Sequence, residues 1–527
     1  MNQLIHMRQI HQVITAVLLV VAATLPIASW ANSVRNPEGR SHPSPEQSIL
    51  HQVNDCADLR AFATESLVDS LLNLVFCSWD RPWNQPGGEG VGALDFTGTN
   101  NQEEGVDELD IIKTDGNFIY VARDDSVAIL RSWPPERTEI LSETPLDGFT
   151  SGIFLHGDRL AAISQLWSGI GGGSFQRGGT RIDLFDVEDR SQPLQVRSIE
   201  MEGFLVGSRL LDGKMYLVLH TWIPTPIAVW ELLYRDDLDL PELDPSAPPE
   251  EIEETLELAR QILTPLVAEI VAKMDISEIL PLMTDTADES AEPTLLLQCT
   301  DILQPSVRDQ YSVLSVVGID LASGDWTTSP VDATAVLTSG WTVYASRNTL
   351  YVAQGSSWWW GPAFEVDGET TAIHSFDLGS GENDPVEYRA SGEVPGRLPN
   401  QFSMSEYEGA LRVASCHYPW AWGPETNESG TVVTVMRDNG AGFLQTIGQI
   451  GGIAPGENLY AARFLGERGY LVTFEIIDPL FTLDLTDPTE PRLTGELKIP
   501  GYSAYLHPMD HNHLLAIGMN GDDEGRL

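Results

Sequence analysis

The chain has 527 residues, of which 42% are hydrophobic and 8% aromatic, enough apolar material for a large folded core or several domains. Its 77 acidic residues outnumber the 30 lysines and arginines, and the formal net charge is −47. A surface this acidic repels phosphate backbones and anionic membranes, so no nucleic-acid partner is expected. Such acidity serves solubility more often than cation binding.

The first residues have the pattern of a secretion signal. A weakly basic start with Arg8 precedes an apolar run at 13–25, and Ser29-Trp30-Ala31 places small residues where a signal peptidase cuts. Residues 1–31 are therefore predicted to be a signal peptide cleaved after Ala31, and the mature protein to be periplasmic or secreted. An uncleaved anchor is the weaker alternative, because about thirteen apolar residues are too few to span a bilayer. No membrane span is expected beyond the signal peptide.

Residues 32–98 form a lead-in to the main domain. After a polar, proline-containing stretch, apolar side chains recur at three- and four-residue steps from Leu59 to Val75, which predicts a helix with Asp55 or Asp58 as its cap. A linker rich in glycine and proline follows, from Pro82 onward.

A hairpin pattern opens the remainder, 99–527, and then recurs. The pattern predicts one strand at 106–112, a tight turn at 114–117 and a returning strand at 118–121. Runs similar to this returning strand start near positions 118, 160, 215, 350, 411, 470 and 514. The shorter spacings match the roughly forty to fifty residues of one four-stranded propeller blade, and the longer ones require insertions.

The sequence pattern also predicts the third and fourth strands of several blades. Third strands are predicted at 181–187, 316–321, 373–378 and 480–485, each with an aspartate near its end, and a fourth strand at 493–497. The fold class is therefore mainly β: a β-propeller of about six complete four-stranded blades and a partial one, with an N-terminal helix and a helical insertion. Residues 503–507 and 513–518 are expected to begin a seventh, truncated blade. The competing view is that this hairpin completes a six-bladed ring.

The longest insertion, at about 223–298, contains an amphipathic helix. Apolar side chains line one face of residues 250–274, and Pro265 is expected to kink or divide the helix. Either a cap packed on the propeller or a lid that docks a partner fits this pattern.

Several motifs also resemble a known family. Thr99-Asn100, Gln102-Glu103, Gly105-Val106-Asp107-Glu108, Asp110 and Lys113-Thr114-Asp115-Gly116 resemble the entry motif of the exported bacterial and archaeal β-propeller proteins, distant relatives of WD40 repeats. Segments at 463–466, 470–474, 478–480, 484–485, 495–501 and 505–508 are similar to that family as well. The resemblance implies an exported propeller with an N-terminal helical segment, and it carries no established catalytic residues.

Tryptophans gather in the connections between second and third strands, which emerge on one face of a propeller because strand direction alternates. These tryptophans are Trp167, Trp222, Trp358, Trp359, Trp360, Trp420 and Trp422. One interpretation is that the loops pack against each other and against the insertion. The other is a recognition face for a polypeptide or a carbohydrate.

Metal-binding candidates are few. Asp107, Glu108 and Asp110, with Glu103 and Glu104, carry oxygens suited to calcium, and the alternative is an acidic, solvated hairpin. A second cluster carries side chains suited to a transition metal: His507, Asp510, His511 and His513. The alternative is that these are ordinary residues of strand ends and turns. No other cofactor is indicated.

Four cysteines allow two disulfides in an exported chain. An unbroken helix between Cys56 and Cys77 would hold them roughly 30 Å apart, too far for a bond. Cys299 and Cys416 both flank insertions on the tryptophan-bearing face, so a Cys299–Cys416 disulfide is predicted.

The sequence contains no Gly-x-Ser-x-Gly, Walker, His-Glu-x-x-His or Cys-x-x-Cys motif. We therefore favour a binding or scaffold propeller outside the cytoplasm that is not an enzyme. The alternative is an extracytoplasmic hydrolase or quinoprotein-like oxidoreductase with its site at the central channel.

Overall fold

The computed structural model describes residues 50–76, 101–166, 177–288 (apart from 236, 242, 243, 245 and 246), 292–305, 312–355 (apart from 339), 370–379, 385–417, 430–474, 478–499, 502–510 and 513–519. The predicted signal peptide, most of the polar lead-in and the glycine- and proline-rich linker lie outside these residues.

The first elements are strand β1 (Leu50–Gln52), helix α1 (Cys56–Phe76) and strand β2 (Val106–Glu108). Asp55 caps α1 as predicted, since its Oδ1 accepts hydrogen bonds from the backbone N–H groups of Ala57 at 2.7 Å and Asp58 at 3.0 Å. Leu59, Leu67 and Val68 are fully buried, so the apolar face of this helix lies in the core.

Two four-stranded antiparallel units come next. Blade 1 comprises β3 (Ile112–Thr114), β4 (Phe118–Arg123), β5 (Ser126–Arg131) and β6 (Glu139–Pro145), and blade 2 comprises β7 (Phe149–His156), β8 (Arg159–Leu166), β9 (Gly179–Asp186) and β10 (Leu194–Glu202). Blade 3 begins with β11 (Phe204–Leu211) and β12 (Lys214–Trp222), and it is completed after an insertion.

The described part of the insertion contains two α-helices and three strands: α2 (Ile227–Glu231), α3 (Pro249–Val271), β13 (Leu282–Asp285), β14 (Thr294–Leu295) and β15 (Ile302–Pro305). Blade 3 then resumes with β16 (Ser312–Asp320) and β17 (Asp332–Val336).

Three further blades follow without comparable insertions. Blade 4 comprises β18 (Thr342–Ala345), β19 (Thr349–Gly355), β20 (Thr370–Asp377) and β21 (Glu387–Pro395). Blade 5 comprises β22 (Met404–Tyr407), β23 (Ala410–His417), β24 (Gly430–Asp438) and β25 (Leu444–Ile453). Blade 6 comprises β26 (Asn458–Leu465), β27 (Arg468–Phe474), β28 (Asp478–Asp484) and β29 (Arg492–Ile499), and a final hairpin pairs β30 (Tyr502–Asp510) with β31 (His513–Met519).

These sheets confirm the predicted fold class. All seven predicted returning strands are second strands of their sheets, and the four predicted third strands occupy the third position. Apolar clusters fill the spaces between successive sheets. One example joins Tyr344 and Tyr351 of blade 4 to Met404 and Val413 of blade 5. The blades therefore pack face to face in chain order, as propeller blades do.

One predicted strand, at 106–112, is divided in the structure. Its first part, β2, pairs with β11 of blade 3, whereas its last residue begins β3 and pairs with β4 of blade 1. Between them the Asp110 carbonyl accepts a hydrogen bond from the Ile153 N–H at 2.8 Å. The backbone therefore pairs first with blade 3, then with blade 2 and then with blade 1. One continuous strand cannot pair with three different blades in succession.

The insertion packs on the edges of blades 2 and 3. Strand β13 extends blade 2 beyond β10, and β15 extends blade 3 beyond β17 and pairs with β1. Helices α1 and α3 bury Leu67, Leu71, Leu263 and Val267 in one core with both blades. Pro265 lies inside α3 and does not divide it.

The predicted Cys299–Cys416 disulfide is wrong. Cys299 is bonded to Cys56, with Cα atoms 5.2 Å apart, and Cys416 is a buried free thiol. The reason is that the end of the insertion folds back onto the first residue of α1, whereas Cys416 lies on β23 in blade 5. Cys77 lies outside the described residues.

None of the helices that the structure describes has the length and apolar character required to cross a membrane.

Candidate functional site

Exposed aromatic side chains mark one face of the blades. Phe149 begins the first strand of blade 2, Trp222 ends the second strand of blade 3, Trp341 immediately precedes blade 4, and Tyr460 lies near the start of blade 6. Their exposed fractions are 50%, 36%, 57% and 37%. First strands begin where second strands end, so these four residues lie on the same side of the propeller. We call them the aromatic face.

His220 contacts two tryptophans of this face. Its ring is in edge contact with Trp222, with centroids 4.8 Å apart, and in tilted contact with Trp341 at 4.7 Å. The imidazole is fully buried, and neither ring nitrogen has a hydrogen-bond partner in the described part of the chain. Burial lowers the pKa of His220 to about 4, so the ring is neutral near neutral pH.

Of the seven tryptophans singled out in the sequence, the structure describes Trp222. The other six, Trp167, Trp358, Trp359, Trp360, Trp420 and Trp422, lie outside the described residues. Their positions in the chain fall between the second and third strands of blades 2, 4 and 5. Sequence reasoning missed Trp341 and His220, because Trp341 precedes a first strand and His220 looks like any inward-facing strand residue.

The entry segment, residues 101–110, lies at the centre of the propeller. It contacts the first strands of blades 2 to 6, which converge only around the central axis. At blade 5 the Gln102 Nε2 donates to the Met404 carbonyl at 2.8 Å, and at blade 4 the Tyr344 hydroxyl donates to Glu103 at 2.7 Å. At blade 6 the Arg463 guanidinium donates to the Gln102 carbonyl at 3.5 Å.

The second half of the entry segment contacts blades 3 and 2. The Arg209 guanidinium of β11 lies 3.7 Å from the Glu108 carboxylate, next to the β2–β11 pairing, and Asp110 is bridged to Ile153 of blade 2. The motif that carries the family resemblance is thus the segment around which the blades are arranged.

The structure does not bring the predicted calcium ligands together. Asp107 forms an ion pair with Lys113 at 2.7 Å, Glu108 accepts hydrogen bonds from Gln401, and Asp110 Oδ1 accepts one from the next backbone N–H. Within the described residues, no group of three histidines, cysteines or acidic residues is positioned to hold a metal ion.

The histidine cluster is described in part. His513 contacts Asp510 with 2.8 Å between Nδ1 and a carboxylate oxygen, in the turn between β30 and β31. His507 lies on β30, and His511 lies outside the described residues.

A cavity of about 700 Å³ forms an open groove at the edge of blade 2. Its charged side chains are already paired: Arg197 with Asp285 at 2.5 Å, and Arg181 with Glu200 at 3.0 Å. The first pair joins β10 to β13 and the second joins β9 to β10, so the groove is a structural junction.

Comparison with known proteins gives relatives of unassigned function. An uncharacterized protein of Methanocaldococcus jannaschii is 27% identical over 82% of this chain and 66% of its own length. An uncharacterized protein of Archaeoglobus fulgidus is also 27% identical, over 80% of this chain and 67% of its own. The chain spans about two thirds of the length of these relatives.

Among solved structures, one chain of the complex of KlAtg21 with the coiled-coil of AgAtg16 is similar in structure, with a TM-score of 0.30 and 8% sequence identity. The match covers 73% of this chain and 82% of that chain. The model of the β-propeller domain family matches residues 96–527. The protein therefore belongs to the β-propeller domain family.

Proposed function

We propose that this protein is a binding module that works outside the cytoplasm and recognises a polypeptide or a carbohydrate with its aromatic face. The observation that carries the proposal is the exposure of Trp222 and Trp341, which both contact His220. Large aromatic side chains lose stabilisation when they remain in water, so their exposure on one face is a feature of interaction sites.

The support for a location outside the cytoplasm is twofold. Residues 1–31 have the composition of a signal peptide. The Cys56–Cys299 disulfide is a bond that persists in oxidising compartments and is rare in the cytosol.

The alternative of an enzyme with a site in the central channel is less well supported. The entry segment passes through that position and hydrogen-bonds to the surrounding first strands. A substrate in the channel would have to displace this segment, so the aromatic face is the better candidate for recognition.

Binding is tested with soluble oligosaccharides and short peptides as probes, titrated by calorimetry. The wild-type chain is expected to bind members of one probe class, and the Trp222→Ala/Trp341→Ala double variant to lose at least tenfold in affinity, since aromatic anchors dominate such contacts. Trp133→Ala is the matched control, because Trp133 is 62% exposed but follows the third strand of blade 1, whose end lies on the opposite face. Equal binding by the double variant, or no binding of either class, would refute the proposal.

Export is tested by N-terminal sequencing of the protein recovered from the medium or the cell envelope. A mature chain beginning at Asn32 is expected. Recovery of the uncleaved chain from the cytosol would contradict the proposed location.

A further inference from the structure

Three buried guanidinium groups surround the entry segment. Arg209, Arg412 and Arg463 are 5%, 4% and 5% exposed and come from the first or second strands of blades 3, 5 and 6. Two carboxylates of the entry segment act on them: Glu108 lies 3.7 Å from Arg209, and Glu103 interacts electrostatically with both Arg412 and Arg463. This set of five groups carries one positive charge in excess.

The neighbouring charged groups do not remove the excess. Asp107 is matched by Lys113 at 2.7 Å. Glu406 is not among the groups that act electrostatically on Arg412, and its carboxylate accepts hydrogen bonds from the Ser346 hydroxyl at 2.8 Å and the Tyr351 hydroxyl at 2.9 Å instead.

Two N–H donors in this cluster are buried and unused. Arg412 donates through Nη1 to the Gly466 carbonyl and through Nη2 to Ser405 at 2.8 Å, and its Nε has no partner in the described residues. Arg463 donates through Nη2 to Gln102, and its Nη1 likewise has no partner among the residues described.

Aromatic rings fix the orientation of both guanidinium groups. Arg412 lies against the rings of Tyr407 and Phe464, at 5.0 and 5.1 Å from their centroids. Arg463 lies 5.0 Å from the centroid of Phe402. Such contacts stabilise both cations and restrict the orientation of their guanidinium groups.

A buried, unpaired donor on a charged group destabilises a fold, and a buried excess charge does so further. We propose that the centre of the propeller holds a small-anion site between Arg412 and Arg463, which takes a monovalent inorganic anion or a small carboxylate. Such an anion accepts both free N–H groups and neutralises the excess charge. Burial also lowers the pKa of Arg412 to about 10, because a buried environment disfavours the charged form.

The wild-type chain is tested by thermal unfolding in sodium gluconate, whose anion is too bulky for the site. Chloride or acetate replaces gluconate at constant ionic strength. A saturable rise in Tm is expected, because a ligand that binds the folded state stabilises it in proportion to its occupancy. A rise with chloride alone identifies an inorganic-anion site, and one with acetate identifies a carboxylate site. No rise with either anion would overturn the proposal.

Two variants assign the effect to this cluster. Glu103→Gln removes one carboxylate and is expected to lower the half-saturating anion concentration about tenfold, because it adds one positive charge to the site. Arg463→Met is expected to abolish the anion dependence, whereas Arg492→Met, which removes a 63% exposed surface arginine, retains it. If Arg463→Met does not fold, Glu103→Gln decides. An unchanged or higher half-saturating concentration in that variant refutes the site.

Discussion

Cys56, the first residue of α1, is covalently bonded to Cys299, 243 residues further along the chain. The bond ties α1 to the end of the insertion, where both pack on blades 2 and 3. A crosslink that closes so long a loop restricts the unfolded chain strongly.

We expect Cys56→Ser to lower the free energy of unfolding by about 2 to 5 kcal/mol, measured by denaturant titration of the oxidised protein. Cys416→Ser is the matched control, since Cys416 is a buried free thiol, and it should leave the disulfide in place. Non-reducing peptide mapping should show Cys56 linked to Cys299. A Cys299–Cys416 peptide would contradict the structure.

The blades were predictable because their signals are local. Returning strands such as Leu350–Ala353 are short apolar runs beside turn residues, and this one lies in the buried second position of its sheet. Both faces of this strand are buried against neighbouring blades, Leu350 and Val352 in one apolar cluster and Tyr351 and Ala353 in another, which requires apolar side chains on both faces. Each third strand could be recognised by the aspartate near its end.

Two features could not be read from local patterns. The pairing of β2 with β11 joins residues 106–108 to residues 209–211, and nothing in the three-residue strand specifies that partner. The Cys56–Cys299 bond depends on how the insertion folds back onto α1. Both are consequences of tertiary packing, which single-sequence periodicity does not encode.

The candidate site was predictable in part. The prediction placed aromatics where second strands end, and Trp222 is there. The packing of blade 4 on blade 3 brings Trp341 into contact with the same imidazole, His220, that Trp222 contacts. The sequence separation of Trp222 and Trp341 spans the whole insertion, so their proximity had no local signal.

Substitution of Trp341 separates recognition from packing. Because Trp341 is 57% exposed, Trp341→Ala is expected to change the free energy of unfolding by less than about 1 kcal/mol. Tyr344→Ala, three residues along, removes a fully buried ring and should cost about 3 to 5 kcal/mol. Denaturant unfolding of both variants tests this. An equal loss in the two would mean that Trp341 serves packing.

The buried imidazole of His220 predicts a pH dependence of stability. Its pKa is lowered from 6.5 to about 4 in the folded state, so the unfolded chain binds the proton first as the pH falls. The stability linked to His220 is therefore complete above about pH 6.5 and is lost progressively toward pH 4.

The test compares wild-type protein with His220→Phe by denaturant unfolding at pH 7 and pH 5. The difference in unfolding free energy between the two proteins should shift by about 2 kcal/mol in favour of the variant at pH 5. His374→Phe provides a second case of the same sign, because burial also lowers the pKa of His374 to about 4. A pH-independent difference for His220→Phe would contradict this prediction.

The central position of the entry segment is tested at Gly152 of β7. A methyl group added there would lie 2.7 Å from the Leu109 Cγ and 2.9 Å from the Asp110 carbonyl oxygen, so Gly152→Ala must push the entry segment away from blade 2. We expect a loss of about 1 to 3 kcal/mol in unfolding free energy, the usual cost of overpacking a buried contact.

Gly451→Ala in β25 is the matched control, because its new methyl group would meet Val432 at an ordinary 3.6 Å, and its change should stay within about 0.5 kcal/mol. Hydrogen exchange should also show weaker protection at the Ile153 amide, which donates to Asp110, in Gly152→Ala alone. If stability and protection are both unchanged in Gly152→Ala, the entry segment is not held against blade 2, because the added methyl group would clash with Leu109 and Asp110 of that segment.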